Sequence, residues 1–226
     1  MSGLIVFDFD NTLVHSKIDF VGIRRELFEM LRRDGHPDAV GEELAERLTR
    51  LSIGEIIDAG AAHEPAFHDE AWRMVLEYET AGMVAASVEP DAHATLHGLR
   101  DLGFQLAVMT NNARAATLAA LELFDLRSAF DLVLTRDEVP MKPDPAGIVR
   151  AMTTFEAGAE QTAMVGDSWL DGVAAGRASV PFIGFRPRPG ILDERGVAYW
   201  AIVEQLAELP PLLGGPWPSD GRGMGR

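Results

Sequence analysis

Acidic residues follow closely on apolar runs at two points of this sequence. Asp8 and Asp10 come after the run Leu4 to Phe7, and Asp167 comes after the run Ala163 to Val165. On an extended chain, side chains two residues apart project to the same side, about 6.6 Å apart along the strand. Carboxylates crowded in this way repel one another unless a cation neutralises them, and oxygen ligands suit a hard divalent ion. The pattern therefore predicts a Mg²⁺ site that keeps coordination positions open for water and a phosphate group.

The pair Asp8 and Asp10 could also do covalent chemistry. A carboxylate can attack phosphorus and form an aspartyl-phosphate intermediate. A second acid nearby could then protonate the leaving oxygen and later take a proton from the attacking water. Two carboxylates at this spacing thus suit the transfer of a phosphoryl group, with one acid for each role.

Hydroxyl and amide side chains stand at equivalent places in the sequence. Thr12 follows the acidic pair, and Thr110, Asn111 and Asn112 follow the apolar run Phe104 to Met109. In an open parallel sheet, ligands bind beyond the carboxyl ends of the strands. We therefore expect these groups to share one rim of the sheet with the carboxylates.

A lysine with an unusual setting completes the set. Lys142 is one of only two lysines, the other being Lys17, in a chain with eighteen arginines. Pro143 pushes Lys142 towards an extended conformation, and Asp144 and Pro145 are typical of a helix N-cap and first turn. This setting predicts a compact cation, fixed just before a helix, for a phosphate or for the aspartates. The alternative is a solvated loop lysine.

The apolar runs and the segments between them predict the fold that positions these residues. The runs are continuous, as in strands that are buried on both faces of a parallel sheet. Helical patterns separate the runs, for example Ala92 to Leu102 and Arg114 to Leu123. This alternation predicts an α/β fold with a doubly wound parallel sheet. The predicted strands are Leu4 to Phe7, Phe104 to Met109, Leu132 to Leu134, Ala163 to Val165 and Phe182 to Phe185, with Tyr199 to Ile202 as a candidate last strand before a helix near Val203 to Leu209.

The stretch from residue 15 to residue 90 shows helical signals and no convincing strand. A gap of roughly 95 residues between the first and second strands is too long for an ordinary crossover. It predicts a helical cap at 15–90, inserted into an α/β core of residues 1–14 and 91–209. The alternative is that these helices continue the α/β fold. The helices predicted here begin with one capped by Asp19 and include Glu42 to Leu51 and Asp69 to Val84.

Composition limits the partners and the setting of the protein. The net charge of −15 on 226 residues argues against nucleic acid and anionic membrane surfaces, since both would repel the chain. The absence of cysteine excludes disulfides and thiolate metal sites. The N-terminus lacks the features of a signal peptide, and no apolar stretch is long enough to span a bilayer, so a cytoplasmic location is expected. The tail, residues 210–226, holds five Gly and four Pro and is expected to be flexible.

The polar segments, taken in order, resemble the motifs of the haloacid dehalogenase superfamily. The likeness covers the chain except its tail, and four ordered motifs are far more specific than the Asp-x-Asp-x-Thr pattern alone. The inserted helices are similar to the cap of phosphoglycolate phosphatase and β-phosphoglucomutase relatives. Asn11 departs from the pattern, because glycine is common there. The motifs are Asp8-Phe9-Asp10-Asn11-Thr12-Leu13, the run ending in Thr110-Asn111, Lys142-Pro143, and Gly166-Asp167-Ser168 through Asp171.

The resemblance implies a role for each matching residue. Asp8 would be the nucleophile and a Mg²⁺ ligand. Asp10 would be the general acid and base and would offer its backbone carbonyl to the metal. Thr110 and the backbone N–H of Asn111 would hold phosphoryl oxygens, and Lys142 would neutralise charge on the intermediate.

The resemblance also assigns the acids of the fourth motif. Asp167 would bind Mg²⁺, directly or through water, with Asp171 in support. For Asp171 the alternative is a solvated acid in the first turn of a helix.

Several other activities share some of these features. Dehalogenases of the superfamily lack the second acid, so Asp10 favours phosphate chemistry. A phosphomutase uses the same core residues and stays open as an alternative. A phospho-accepting receiver module carries its aspartate after the third strand and has no helical insertion, which argues against it. A P-loop NTPase is excluded because no glycine-rich loop ends in Gly-Lys-Ser/Thr.

The substrate is expected to be a small phosphorylated metabolite, phosphoglycolate-like or sugar-phosphate-like. His15, Lys17, Arg24 and Arg50 are candidates for contacts with the rest of the substrate, although a solvated surface position is the simpler interpretation for each. His63 and His68 lack the partner spacing of metal ligands. The oligomeric state is unknown from the sequence.

Overall fold

The computed structural model describes residues 3–35 and 51–218. Six parallel strands form the main sheet, and two short antiparallel strands form a separate ribbon. Among the described helices, none combines the length and the apolar character needed to cross a membrane. In chain order the elements are β1 (Leu4–Phe7), β2 (Val14–His15), α1 (Phe20–Arg33), α2 (Ile53–His63), α3 (Ala66–Val84), β3 (Ser87–Val88), α4 (Ala92–Asp101), β4 (Gln105–Met109), α5 (Arg114–Leu123), β5 (Leu132–Leu134), α6 (Ala146–Phe155), β6 (Thr162–Gly166), α7 (Trp169–Arg177), β7 (Phe182–Phe185), α8 (Ile191–Glu194), β8 (Ala201–Val203) and α9 (Leu209–Leu213).

The main sheet has the strand order β5-β4-β1-β6-β7-β8, with helices between its strands in the sequence. This arrangement confirms the predicted doubly wound α/β fold. The first strand lies in the middle, with Leu4 paired to Gln105 on one side and to Thr162 on the other. The chain order therefore reverses at β1, and ligands bind at the carboxyl ends of strands beside such a switch point.

The central strand is apolar throughout because the sheet buries both of its faces. All four residues of β1 are fully buried. Burying one large aliphatic or aromatic side chain stabilises a fold by about 1.5–3 kcal/mol, so this strand is a rigid base. The loop after β1 is thereby held in place from its first residue.

The inserted segment forms a compact unit of its own, Lys17–Ala85, of which α1, α2 and α3 are described. Helix α1 is capped as predicted, since the Asp19 side chain accepts from the Gly22 N–H at 2.8 Å. Its apolar residues Ile23, Leu27, Met30 and Leu31 are buried, whereas Phe20 at the helix start is 40% exposed. Helix α3 begins three residues before the predicted Asp69. The predicted helix Glu42 to Leu51 falls on residues outside the described ranges, apart from its last residue.

A two-stranded ribbon stands where the sequence indicated only helices. Strand β2 pairs antiparallel with β3, with Val14 opposite Val88 and His15 opposite Ser87. Two residues per strand are too few for a recognisable alternating pattern, which is why the sequence did not indicate it. The ribbon belongs to the unit formed by Met1–Ser16 and Ala86–Arg226.

The C-terminal segment differs from the expected flexible tail over its described part. Strand β8 extends to Val203, and the last helix begins at Leu209, with Pro210 and Pro211 in its first turn, where proline is tolerated. The Trp217 ring stacks on Phe104 and packs against Trp200. The many Gly and Pro residues suggested a loop, but the buried Leu213 and the ring of Trp217 anchor the segment. Residues 219–226 lie outside the described chain.

Candidate active site

The loop after β1 carries Asp8 and Asp10. The Asp8 backbone N–H donates to the Val165 carbonyl at 2.8 Å, which ties the loop to the end of β6. Asn11 has a left-handed backbone with φ of +56°, and its N–H donates to the Val14 carbonyl at 2.6 Å. Asparagine tolerates this conformation better than most residues other than glycine, so the turn forms without the glycine common at this position.

Lys142 lies against the carboxylate of Asp8. Its ammonium contacts Asp8 Oδ1 and lies 2.7 Å from Asp171 Oδ1, and the lysine is only 5% exposed. The other oxygen of Asp8 accepts from the Thr12 hydroxyl at 3.3 Å. Burial alone would lower the pKa of Lys142, but the charges of Asp171 and Asp8 outweigh it and the net shift is upward. Lys142 is therefore a buried cation of the site and not a solvated loop lysine.

The position of Lys142 is fixed by the side chain of Asn111. The Lys142 N–H donates to Asn111 Oδ1 at 2.7 Å, and Asn111 Nδ2 donates to the Lys142 carbonyl at 3.0 Å. Arg136 Nη1 donates in turn to the Asn111 carbonyl at 3.1 Å. The Lys142–Pro143 peptide bond is cis. The loop after β4 thus holds the backbone of the lysine in place.

Asp171 lies in the first turn of α7 and is completely buried. Its Oδ2 accepts from the Ser168 N–H at 3.0 Å, and the Ser168 hydroxyl accepts from the Leu170 N–H at 3.2 Å. Asp171 is therefore part of a capping box whose acid also faces Lys142. The interpretation of Asp171 as a solvated acid is excluded by its burial.

Three carboxylates converge beside this lysine. Oxygen atoms of Asp8, Asp167 and Asp171 lie within 4.8 Å of one another. Burial and the charge of Asp8 raise the pKa of Asp167 to about 8. Burial also raises the pKa of Asp171, to about 6, although the nearby Lys142 opposes the shift. One ammonium is too little positive charge for three crowded carboxylates.

The residues fit a divalent cation with a preference for oxygen ligands. Burial and the charges of Asp8 and Asp171 raise the pKa of Asp167, and a divalent cation bound there would favour its ionised form. Asp8 and Asp167 are the more accessible candidate ligands, because Asp171 is completely buried and its Oδ2 accepts from the Ser168 N–H. Mg²⁺ accepts this ligand type and number.

Asp10 has different surroundings from Asp8. Its Oδ2 accepts from Asn112 Nδ2, whereas its Oδ1 is buried without a well-formed hydrogen bond in the described chain. Burial and the charge of Asp8 raise the pKa of Asp10 to about 7, against the opposing effects of Ser16 and Asn112. A carboxyl group with this pKa can both give and take a proton near neutral pH.

Thr110 stands at the end of β4, next to these groups. Its N–H donates to the Leu134 carbonyl at 3.0 Å, and its hydroxyl oxygen accepts from the Asn112 N–H at 3.2 Å. The Thr110 side chain is buried, and its hydroxyl still has a proton to donate. The structure therefore brings together all seven residues that the sequence singled out for the site: Asp8, Asp10, Thr110, Asn111, Lys142, Asp167 and Asp171.

The candidate substrate contacts have varied surroundings. Lys17 is exposed, as expected for a surface residue. Arg24 is tied to the Leu51 carbonyl by a hydrogen bond of 2.6 Å, and His15 pairs with the buried Glu89. Arg50 lies outside the described residues.

Among the described residues, neither histidine that lacked ligand spacing belongs to a cluster that could hold a metal ion. His68 Nδ1 lies 3.0 Å from Asp69 Oδ1 at the surface. Within the described residues, the one cluster of three or more acids and histidines is that of Asp8, Asp167 and Asp171, which does not include His63.

Sequence reasoning did not assign the residues that hold the candidate catalytic groups in place. Asn112 was recognised as a polar residue after the second predicted strand, but its contact with Asp10 depends on two loops meeting in space. Arg136 carries no sequence signal, because an arginine in a loop is usually solvated. Only the packing of one loop on another reveals these positions.

Comparisons with known proteins agree with this arrangement. The family model described as haloacid dehalogenase-like hydrolase matches residues 5–185. A phosphoglycolate phosphatase of Cereibacter sphaeroides is 31% identical over 216 residues, covering 92% of this chain and 96% of its own. The pyrophosphatase PpaX of Halalkalibacterium halodurans is 29% identical over 185 residues, covering 78% of this chain and 80% of its own.

The fold has a counterpart among solved structures. A haloacid dehalogenase-like hydrolase from Bacteroides fragilis superposes with a TM-score of 0.70, at 24% identity, over 92% of this chain and 100% of that chain. At this identity the likeness concerns the fold alone.

Proposed function

The chain belongs to the haloacid dehalogenase-like hydrolase family and is an enzyme of its phosphatase type. We propose that it hydrolyses a small phosphate monoester through a phosphorylated Asp8, with Mg²⁺ as cofactor. The observation that carries this proposal is the contrast between two carboxylates only two residues apart. Asp8 is ion-paired with the buried Lys142, whereas Asp10 is held by an amide and has a pKa raised to about 7. Such a contrast suits a nucleophile beside a general acid and base.

In the first half-reaction, Asp8 is the nucleophile. A carboxylate oxygen forms a bond to phosphorus while the bond from phosphorus to the ester oxygen breaks. Asp10, in its protonated form, gives its proton to that departing oxygen. The alcohol leaves, Asp8 carries the phosphoryl group, and Asp10 is ionised.

The second half-reaction restores the enzyme. A water oxygen attacks phosphorus, its proton passes to the ionised Asp10, and the bond from phosphorus to Asp8 breaks. Inorganic phosphate leaves, and both carboxyl groups return to their starting forms. General acid and base help of this kind accelerates a reaction by about 10²–10⁴-fold.

The remaining polar groups hold the phosphoryl oxygens. Lys142 places a positive charge against Asp8, where negative charge accumulates. The two hydrogen bonds between the Asn111 side chain and the Lys142 backbone keep the lysine there. Thr110 has a hydroxyl proton to donate, and the Asn111 backbone N–H is the second donor that we assign to phosphoryl binding. Donors fixed before the reaction begins stabilise the transition state without rearranging.

Asp8 and Asp167 would hold Mg²⁺ through their carboxylates and Asp10 through its backbone carbonyl, with Asp171 in support. When bound, the ion supplies the positive charge that the crowded carboxylates and phosphoryl oxygens need. The helical insertion, residues 15–90, is the proposed cap that selects the leaving group, and Lys17–Ala85 is its compact part. A small phosphorylated metabolite is the proposed substrate class.

Release of inorganic phosphate from a panel of phosphate monoesters, with the anhydride pyrophosphate alongside them, tests this function. The panel would contain 2-phosphoglycolate, β-glucose 1-phosphate, pyrophosphate and 4-nitrophenyl phosphate, each with Mg²⁺ and with EDTA. We expect Mg²⁺-dependent release that EDTA abolishes and added Mg²⁺ restores. Asp167→Ala should raise the Mg²⁺ concentration needed for half-maximal activity, because one oxygen ligand is lost.

Two outcomes would contradict the proposal. Full activity in EDTA after exhaustive dialysis would exclude the metal. Conversion of β-glucose 1-phosphate to glucose 6-phosphate, with little release of phosphate, would establish the phosphomutase alternative.

A further inference from the structure

The hydrogen bonds of Asp10 distinguish its two oxygen atoms. Oδ2 accepts from Asn112 Nδ2, and Oδ1 is buried without a well-formed hydrogen bond in the described chain. A buried oxygen without a hydrogen bond costs free energy unless a ligand or a reacting group supplies the missing partner. The carboxyl group is therefore fastened at Oδ2, whereas Oδ1 makes no hydrogen bond of ordinary geometry, although the Ser16 hydroxyl is close enough to lower the pKa of the group.

Asn112 is itself firmly held. It is only 4% exposed. Its backbone N–H donates to the Thr110 hydroxyl at 3.2 Å, and its carbonyl accepts from the Arg136 N–H at 3.3 Å. The Asn112 amide thus comes from a loop with little freedom, so it can hold Asp10 in a defined orientation.

The chemistry of an amide N–H fixes which oxygen of Asp10 carries the proton. A primary amide nitrogen only donates, so Oδ2 must act as an acceptor. It can do so whether Asp10 is ionised or protonated, provided that the proton lies on Oδ1. An amide turned the other way would place its carbonyl against the ionised carboxylate and repel it. Only the observed orientation suits both halves of a catalytic cycle.

We propose that Asn112 is a positioning residue, which holds Asp10 through Oδ2 and reserves Oδ1 for proton exchange with the leaving oxygen and the attacking water. The inference rests on the proposed function, because it assumes that Asp10 is the general acid and base. The proton leaves Oδ1 as the ester bond breaks and returns to Oδ1 from water as the bond to Asp8 breaks.

The dependence of rate on the leaving group tests this role. A poor leaving group, such as an alkyl alcohol, needs a proton, whereas 4-nitrophenolate leaves with little help. Asn112→Ala should lower kcat/KM for an alkyl phosphate by about 10- to 100-fold, since a small misplacement of a catalytic group costs about that much. For 4-nitrophenyl phosphate the loss should be less than about threefold, because protonation contributes little there.

Asn111→Ala is the matched control, with the same chemical change in the same loop. Asn111 holds Lys142 and not Asp10. Its removal should therefore lower kcat/KM by a similar factor for both substrates, because the charge of the phosphoryl group is common to them.

A double-mutant cycle shows whether Asn112 acts through Asp10. In an Asp10→Asn background, adding Asn112→Ala should change kcat/KM by less than about twofold, because the group that it positions is gone. Asn112→Leu keeps a similar side-chain volume without the donor and replaces Asn112→Ala if the smaller side chain prevents folding. The thermal unfolding midpoint identifies that case.

Two results would overturn the inference. One is an equal loss of kcat/KM on both substrates, whether the variant measured is Asn112→Ala or its replacement Asn112→Leu. The other is an undiminished effect of the same change in the Asp10→Asn background. If Asp10→Asn itself shows full activity with the alkyl phosphate, the proposed function fails instead, so the two failures can be told apart.

Discussion

The side chains of Asp8 and Asp10 are chemically identical, but their neighbours differ: Asp8 lies against the ammonium of Lys142 and Asp10 against the amide of Asn112. Lys142 contacts Asp8, and Asn112 donates to Asp10. The two aspartates share a loop, yet only Asp8 lies among the carboxylates that converge with Asp167 and Asp171. The division of work that we propose for them therefore depends on single neighbouring groups supplied by two other loops.

A single glycine makes room for the acid that supports Lys142. A Cβ built on Gly166 would lie 2.5 Å from the Asp171 Cγ, much closer than any real contact. We expect Gly166→Ala to destabilise the fold by about 1–3 kcal/mol, as overpacking does, and to reduce activity at least about tenfold. Both effects arise because Asp171 must move away from Lys142 and Ser168. Unfolding midpoints and phosphate release measure them.

Gly98→Ala is the control for this prediction. Its Cβ would lie 3.5 Å from Pro210 Cγ, an ordinary contact, within helix α4. It should leave activity unchanged and could stabilise the helix by up to about 1 kcal/mol. Equal effects of the two substitutions would contradict the crowding argument at Gly166.

At the scale of elements, the ribbon of β2 and β3 is anchored by a buried acid. Glu89 follows β3, is 2% exposed, and pairs with His15 of the ribbon. Arg186, directly after β7, donates to both Glu89 oxygens at 3.1 and 2.9 Å and also to the Glu204 carbonyl. The ribbon is thereby joined to the carboxyl ends of β7 and β8. The sequence did not indicate this because the partners are far apart along the chain.

Removing the acid of this anchor should be costly. We expect Glu89→Ala to lower the free energy of unfolding by about 1.5–3 kcal/mol, because it removes the buried carboxylate that accepts two hydrogen bonds from the Arg186 guanidinium. Denaturant unfolding measures the change. Glu194→Ala removes the exposed pair with Arg188 and should cost less than about 1 kcal/mol. Similar losses for both would show that the buried position of Glu89 adds nothing.

At the scale of the whole molecule, the parallel sheet explains how much of the site could be predicted. Polar residues just after β1, β4 and β6 meet because the carboxyl ends of neighbouring parallel strands share one edge. The rest depends on contacts between distant loops. The hydrogen bonds between Asn111 and Lys142 and the one from Asn112 to Asp10 leave no periodic pattern in the sequence. The packing of Trp217 on Phe104 likewise depends on an encounter that composition does not encode.

Trapping the covalent intermediate tests the central claim most directly. Asp10→Asn keeps the nucleophile but lacks the base for the second half-reaction. With 4-nitrophenyl phosphate, whose leaving group needs little protonation, this variant should accumulate a phosphorylated protein. Intact mass spectrometry after an acid quench should show the added phosphate, and peptide mapping should place it on Asp8. Phosphate on another residue, or turnover by Asp8→Asn free of deamidation back to aspartate, would contradict the account.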